Sequence, residues 1–523
     1  MMINTRKIFA AVSLSALTIT GFAQQTTILG TTKLKKYVTY FNSIDTEAVK
    51  NYVPNSEAFT WLSDQAPMFE CPDSVLEQNY YYRWWTFRKH LVKSPEGFIF
   101  TEFIEPVKHA GKYNSISCAL GHHIYEGRWL KDNSYLQDYI RFWLYKADVG
   151  QTKQRFHQFS SWVDDAVYQN YLVNPDQEFL KQILPALDED YAKWETQRQL
   201  KNGLFWQNDV KDGMEESVSG SRRDQNQRPT INSYMYGNAV ALSKMAAMFG
   251  NQALVSKYNE KAAAIKNLVK DSLWNKDAGF FETRKAKGGS ANVREAIGFI
   301  PWDFNLPDDK ATYAKAWNQL LDTAGFKAPW GLTTAERREP TFRTRGTGHS
   351  CEWDGALWPF ATSQTLKGLA NLLTNYKKHG KMTAQIFYDE LHQYAASHVK
   401  NGKPYIGEYQ DEKTGEWLKG DNPRSSFYNH STFNDLIIND LIGIKPRQDD
   451  VLEIQPLIPK NEWDWFILEN LSYHDKLLTI LWDKTGTKYN KGKGFIIFVN
   501  GKEVSRSSKI KPVKVAMNLS PSM

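Results

Sequence analysis

The chain has 523 residues, more than one domain usually holds, and 41% of them are hydrophobic, which is enough for a large core. Its net charge of +7 arises from 65 Lys and Arg against 58 Asp and Glu, without a long basic run. This composition lacks the clustered basic footprint of a nucleic-acid-binding protein. Aromatic residues are abundant (18 Trp, 26 Tyr and 28 Phe), and we expect most of them to pack in the core.

The N-terminus has the pattern of a cleavable export signal. Arg6 and Lys7 precede an apolar run over 8–19, and the small residues in 21–23 (GFA) suit a signal peptidase. We expect a signal peptide over 1–23, and no lipoprotein anchor because no cysteine follows Ala23. No later stretch is long and apolar enough for a membrane span. The sequence thus predicts a periplasmic or secreted protein.

The cysteines do not indicate disulfides or a metal. Cys71, Cys118 and Cys351 are too few to pair completely, and their spacing does not match a metal site. We expect buried or free thiols, no metal and no cofactor.

The region 24–75 is mixed in character, and its start, TTILGTTKLKKYVTYF, favours β-structure. From 76 to 445 the apolar period is helical, as in Leu187, Tyr191 and Trp194, which are spaced by four and three residues. Long polar-aromatic loops separate the helices, and loops of that length in a compact domain are usually functional. Helical hairpins alternating with such loops predict a toroid of paired helices, with the loops gathered at one end.

The pattern changes to period two after Pro446. LEIQPLI, LLTILWD and FIIFVNGKEV are typical of strands, and Asn500-Gly501 is a strong hairpin-turn signal. Residues 446–523 are therefore predicted to form a small β domain, which the early β-prone segment is free to join.

Acidic residues are concentrated in the loop NGLFWQNDVKDGMEESVSGS. Asp209, Asp212, Glu215 and Glu216 fall within eight residues, close to Trp206. Cleavage of a glycosidic bond needs one protonated and one ionised carboxyl group, and neighbouring negative charges favour protonation. Trp206 is a candidate platform for a sugar ring. A solvated acidic loop or a calcium site is the alternative, although the calcium-loop spacing is absent.

Further candidate residues lie in three other segments. Glu408 stands in YIGEY, between a glycine and a tyrosine at the start of a long loop. The stretch GTGHSCEWDGALWPF contains candidates for a substrate wall, and QFSSWVDDAVYQNYL begins a helix with acids that also suit the helix dipole. The residues concerned are His349, Trp353, Asp354, Trp358 and Asp164.

The order of these motifs resembles the six-hairpin glycosidases, such as processing α-glucosidase I, bacterial mannosylglycerate hydrolases, trehalases and α-L-rhamnosidases. The segment 212–217 (DGMEES) is similar to their acid motif, with Glu215 where the group has aspartate. The segment 352–359 (EWDGALWP) is similar to their YWRGPIWP, with Asp354 in place of arginine. Glu408-Tyr409 followed by Thr414-Gly415 is similar to their base motif.

This resemblance implies a mainly α fold, an (α/α)6 toroid of helical hairpins over 76–445, with a small C-terminal β-sandwich domain. It implies an inverting glycoside hydrolase that needs no cofactor and acts on an oligosaccharide or a polysaccharide-derived glycan. The deep loops of the barrel favour exo action on short chains. Glu215 would be the general acid and Glu408 the general base, while Asp212 remains a candidate acid. The expected substrate contacts are Trp206, Asp164, Arg222, His349, Trp353, Asp354, Trp358 and Trp85.

Two alternatives remain at this level. A polysaccharide lyase or an unsaturated uronyl hydrolase can use the same barrel, and Arg222, Arg223 and His349 are candidates for its cationic groups. A non-catalytic glycan-binding protein needs stacking aromatics but no paired acids.

Overall fold

A computed structural model describes residues 27–345 and 351–517. The predicted signal peptide and His349 lie outside the described residues. Within them the α-helices are α1 (Thr32–Ser43), α2 (Ala58–Gln65), α3 (Ser74–Lys89), α4 (Leu120–Gly127), α5 (Ser134–Tyr145), α6 (Val163–Tyr171), α7 (Gln177–Arg198), α8 (Pro229–Met248), α9 (Gln252–Ser272), α10 (Ile300–Asp303), α11 (Ala311–Ala314), α12 (Asn318–Leu321), α13 (Pro359–Asn375) and α14 (Ala384–Ala396). A π-helix covers Leu436–Leu441.

The strands are short except at the C-terminus. They are β1 (Met68–Glu70), β2 (Leu91–Ser94), β3 (Gly97–Phe100), β4 (Trp274–Asn275), β5 (Phe280–Phe281), β6 (Lys327–Ala328), β7 (Gly331–Leu332), β8 (Val399–Lys400), β9 (Lys403–Pro404), β10 (Ile444–Lys445), β11 (Val451–Ile454), β12 (Trp465–Tyr473), β13 (Lys476–Asp483), β14 (Gly494–Val499), β15 (Lys502–Ser507) and β16 (Val513–Ala516).

The helices form a closed ring of hairpins. Along its inner side α4 packs against α6, α6 against α8, α8 against α10, α10 against α13, and α13 against the π-helix. Arg128, directly after α4, closes the ring because its guanidinium bonds Asp435 at 2.6 Å. The buried Glu126 carboxylate accepts the backbone amides of 433–435 at the start of the last helix. Such an anion complements the unpaired amides of a helix N-terminus.

Apolar stripes on the predicted faces hold these helices together. In α7 the side chains of Leu187, Tyr191 and Trp194 are buried, as their spacing predicts. Helix α8 is buried around almost its whole circumference, from Pro229 to Ala246, since it lies between α6, α7, α9 and α10. The predicted (α/α)6 toroid is confirmed.

The C-terminal residues form two antiparallel sheets, in the orders β1-β12-β13-β14-β15 and β10-β11-β16. The predicted turn joins β14 to β15, and both Asn500 and Gly501 have positive φ angles, of 48° and 77°. The small C-terminal β domain is confirmed.

The expectation for the first segment was wrong in part. The stretch that favours β-structure forms α1, because Leu34, Val38 and Phe41 are spaced by four and three residues and are all buried on one face. The β contribution of this region is instead β1, which pairs antiparallel with β12 through Phe69 and Leu468. No helix in the described part of the chain has the length and apolar character needed to cross a membrane.

Candidate active site

Loops between the helices converge on one cavity of about 120 Å³. Its walls come from segments that are far apart in sequence: the loop after β3, the α7–α8 loop, the segment before α13, the loop after β9 and the segment before the π-helix. The cavity thus lies where the predicted toroid gathers its loops. Its polar lining side chains are Glu102, His109, Cys118, Glu215, Cys351, Glu408, Arg424, Tyr428 and His430.

Asp212 fixes the loop that carries Glu215 to the start of α8. The Asp212 carboxylate is fully buried and accepts hydrogen bonds from Arg228 Nε at 2.7 Å and from the Thr230 hydroxyl at the start of α8. Gly213, with φ of 73°, turns the chain where a Cβ would lie 2.4 Å from Cys118 Sγ. Asp212 therefore anchors the loop, and it is not among the residues that line the cavity.

Glu215 lines the cavity with properties that suit an acid. Its side chain is partly exposed to the cavity, yet the surrounding protein desolvates it and raises the pKa of Glu215 to about 7. The charges of Asp209 and Glu408 act in the same direction, while Lys419 opposes them. A carboxyl with this pKa retains its proton in a large fraction of molecules near neutral pH.

Glu408 faces the same cavity in a cationic setting. Its carboxylate, with a side chain only 2% exposed, accepts hydrogen bonds from Lys419 Nζ at 3.0 Å and Ser425 Oγ at 2.8 Å. Arg424 approaches Glu408 Oε1, the oxygen that Ser425 also bonds, at 3.5 Å. Two cations and a hydroxyl stabilise the negative charge of this group. The site therefore holds one desolvated carboxyl beside one ion-paired carboxylate.

An aromatic stack forms one wall. The rings of Trp353 and Trp358 stack at 4.4 Å, and Trp358 stacks on Tyr409 at 4.7 Å. Both tryptophans line the cavity. The Trp358 indole N–H donates to Glu352 O at 2.9 Å, which fixes the orientation of the ring. The stack makes this side of the cavity aromatic and apolar.

A chain of ion pairs lies beside this wall. Arg222 forms an ion pair with Glu216 at 2.7 Å. Arg343 lies between two carboxylates, 3.9 Å from Glu216 and 2.9 Å from Asp354. Burial raises the pKa of Asp354 to about 6 although Arg343 opposes the shift. Neither Arg222 nor Asp354 is among the residues that line the cavity.

Three predicted contacts lie elsewhere. Trp85 is completely buried, and its indole N–H donates to Asn42 Oδ1 at 2.8 Å, so it joins α3 to α1. Trp206 is covered by the Arg198 guanidinium at 4.8 Å from its ring. Asp164 is 0% exposed at the start of α6, where burial raises its pKa well above the usual range. The structure does not bring these three side chains to the cavity lining.

The sequence analysis missed Glu102 and Tyr428. The Tyr428 hydroxyl donates to Glu102 Oε1, and burial raises the pKa of Glu102 to about 8. Glu102 is a single glutamate between Thr101 and Phe103, without a motif around it. Its signal in the sequence is weak, since the partner that places it in the cavity is 326 residues away.

Within the described ranges no group of three or more His, Cys, Asp or Glu side chains is arranged to hold a metal ion.

A closed ring of helical hairpins with acidic side chains in the cavity of its loops defines a six-hairpin glycosidase. Comparison with known families agrees: the family described as mannosylglycerate hydrolase MGH1-like glycoside hydrolase domain matches residues 112–431. The chain belongs to this family, which confirms the resemblance inferred from the motifs. The C-terminal domain of glycosyl hydrolase family 65 matches residues 445–506.

Solved structures share this architecture. A structure named sialidase is 49% identical with a TM-score of 0.90, over 94% of this chain and 45% of that chain. A GH63 mannosylglycerate hydrolase from Thermus thermophilus, in complex with glucose, is 14% identical with a TM-score of 0.50. The match covers 69% of this chain and 99% of that chain. The GH78 rhamnosidase of a Bacillus species is 11% identical with a TM-score of 0.54. The match covers 80% of this chain and 40% of that chain. The last two show the fold alone.

A curated relative, described as an uncharacterized protein of Borreliella burgdorferi, is 23% identical over 204 residues, which are 39% of this chain and 41% of that protein. The chain therefore spans less than half the length of this relative and of the sialidase.

Proposed function

We propose that the protein is an exported, exo-acting glycoside hydrolase that inverts the configuration of the anomeric carbon. The observation that carries the proposal is the pairing of two unlike carboxyl groups in one cavity: Glu215, with a pKa raised to about 7, and Glu408, held by Lys419 and Arg424. Glycosidases use one carboxyl group in each of these states.

In this mechanism Glu215 donates its proton to the glycosidic oxygen as the bond to the anomeric carbon breaks. Glu408 accepts a proton from the water that attacks the opposite face of the sugar. The stacked rings of Trp353 and Trp358 support the apolar face of the substrate. A small cavity walled by loops favours binding of a terminal sugar over binding of the interior of a long glycan chain.

The test is sugar release by residues 24–523 from aryl glycosides and oligosaccharides. The panel contains α-glucosides, α-mannosides, α-L-rhamnosides, L-arabinosides and, because of the similar sialidase, α-sialosides. We expect both variants to remain folded, Glu408→Gln to lose most of the rate on every substrate, and Glu215→Gln to lose most of the rate on substrates whose leaving group needs a proton. Proton NMR of the first product formed gives its anomeric configuration, and a retained configuration would refute inversion.

The same experiment addresses the two alternatives. A lyase would give an unsaturated product that absorbs in the ultraviolet, and an unsaturated uronyl hydrolase would consume one. A glycan-binding protein would bind a sugar without releasing any. Export is tested separately, by N-terminal sequencing of the protein recovered outside the bacterial cytoplasm, where we expect Gln24 as the first residue.

A further inference from the structure

A third carboxyl group, Glu102, faces the cavity that holds Glu215 and Glu408. Acid and base chemistry at one glycosidic bond needs two carboxyl groups, so the proposed mechanism leaves Glu102 without a role. Its side chain is 3% exposed, which makes an idle charged group there costly. Glu102 therefore calls for a separate explanation.

The two oxygens of Glu102 have different surroundings. Oε1 accepts the Tyr428 hydroxyl, and the backbone carbonyl of Glu102 accepts the Asn429 amide at 3.0 Å. Oε2 is buried, and no described residue forms a hydrogen bond with it. The carboxyl is thus held through one oxygen, while the other has its hydrogen-bonding capacity unused at a residue that lines the cavity.

The electrostatic surroundings favour the neutral form of this group. Burial raises its pKa to about 8, and the charges of Glu215 and Glu408 add to the shift, while the Tyr428 hydrogen bond and Arg424 oppose it. Since Oε1 accepts a hydrogen bond from Tyr428, the proton of a neutral Glu102 belongs on Oε2. A protonated carboxyl is a hydrogen-bond donor, which a carboxylate is not.

We propose that Glu102 is a neutral carboxyl of the sugar subsite that donates a hydrogen bond from Oε2 to one hydroxyl of the sugar whose bond is cleaved. This inference rests on the proposed function. It makes Glu102 a specificity-determining residue: a sugar that lacks this hydroxyl, or carries it in the other configuration, leaves a buried donor unpaired. Sites built to bond a hydroxyl discriminate strongly against analogues without it.

The test combines variants of Glu102 with substrate analogues. Monodeoxy versions of the hydrolysed aryl glycoside, one for each hydroxyl, are compared on the wild type, Glu102→Ala and Glu102→Gln. We expect Glu102→Ala to lower kcat/KM by about 10-fold or more on the parent substrate. On the one analogue that lacks the partner hydroxyl, the wild type and Glu102→Ala should agree within about 3-fold, as a double-mutant cycle requires.

Glu102→Gln distinguishes a neutral donor from a charged group. The amide keeps an acceptor for Tyr428 and a donor toward the sugar, so we expect kcat/KM within about 3-fold of the wild type. Tyr428→Phe loosens the carboxyl without removing Oε2, so we expect a smaller loss of kcat/KM than that of Glu102→Ala, and this loss should also disappear on the analogue that lacks the partner hydroxyl. A Glu102→Ala effect equal on all analogues, or a Glu102→Gln loss as large as that of Glu408→Gln, would overturn the proposal.

Binding separates this proposal from the proposed function. If the wild type hydrolyses no glycoside, the monosaccharides of the panel are titrated calorimetrically into the wild type and Glu102→Ala. The role of Glu102 is supported if a sugar binds the wild type more tightly than Glu102→Ala and this difference disappears for one deoxy analogue. That result would stand although hydrolysis fails. Equal binding by both proteins, or no binding of any sugar, contradicts it.

Discussion

Replacement of Glu215 by Gln tests the assignment of the acid quantitatively. With an ordinary pKa of 4.5, about 0.3% of Glu215 side chains would carry a proton at pH 7, whereas with a pKa of about 7 about half do. Desolvation by the cavity walls thus increases the protonated fraction by about 150-fold. We expect kcat/KM of the wild type to fall tenfold for each pH unit above about 7, because the protonated form is lost there.

The assay compares aryl glycosides whose leaving groups differ in acidity. A dinitrophenolate departs without a proton, so Glu215→Gln should retain most of the rate on that substrate and lose about 10²–10⁴-fold on an alkyl glycoside. The alkaline fall near pH 7 should also disappear in the variant. Glu216→Gln is the matched control: Glu216 pairs with the exposed Arg222, and we expect its pH profile to match that of the wild type.

One result would refute this reasoning. If Glu215→Gln loses the same factor on every leaving group and keeps the alkaline fall near pH 7, the proton comes from another carboxyl, and desolvation of Glu215 has no catalytic purpose.

Three further predictions concern other parts of the molecule. Asp212→Asn leaves the Arg228 cation buried without its counter-ion, so we expect a loss of about 3–5 kcal/mol in stability, seen as a lower thermal midpoint; an unchanged midpoint would contradict the anchoring role. Burial raises the pKa of the Cys351 thiol to about 12. Iodoacetamide at pH 8 should therefore label Cys351 about 10³-fold more slowly than free cysteine, and the labelling rate should rise with pH. Labelling as fast as that of free cysteine would show that the thiol is not desolvated. Gly501→Ala should cost about 1–2 kcal/mol because φ is 77°, whereas Gly30→Ala, at an open position without a positive φ, should leave the thermal midpoint unchanged; equal effects would argue against the left-handed turn.

The fold was largely predictable because its signals are local. The stripe of Leu187, Tyr191 and Trp194 specifies a helix face within two turns, and Asn500-Gly501 specifies a hairpin by itself. The prediction failed where two local signals conflict. The β-branched residues around Val38 favour a strand, and the burial of one helical face, which depends on tertiary packing, decides in favour of α1.

The site was predictable in part, for a related reason. Glu215, Glu408, Trp353 and Trp358 reach the cavity as their motifs predict. A tryptophan such as Trp85 fits a core and a substrate wall equally well, and the sequence does not say which end of a helix faces the ligand. Glu102 depends on a tyrosine 326 residues later in the sequence, so no local pattern reveals it.

The pairing of β1 with β12 has a consequence for how the chain is made. Phe69 and Leu468 lie opposite each other in the sheet, and the Ile28 and Leu29 amides donate to the Glu469 carboxylate at 2.7 and 2.8 Å. At about 5–20 residues per second, a ribosome needs about 20–80 seconds to produce the partner of a strand made about 400 residues earlier. Until β12 has been made, β1 lacks its hydrogen-bonding partner, so the segment from Ile28 to β1 is among the last described parts of the chain to reach its final position.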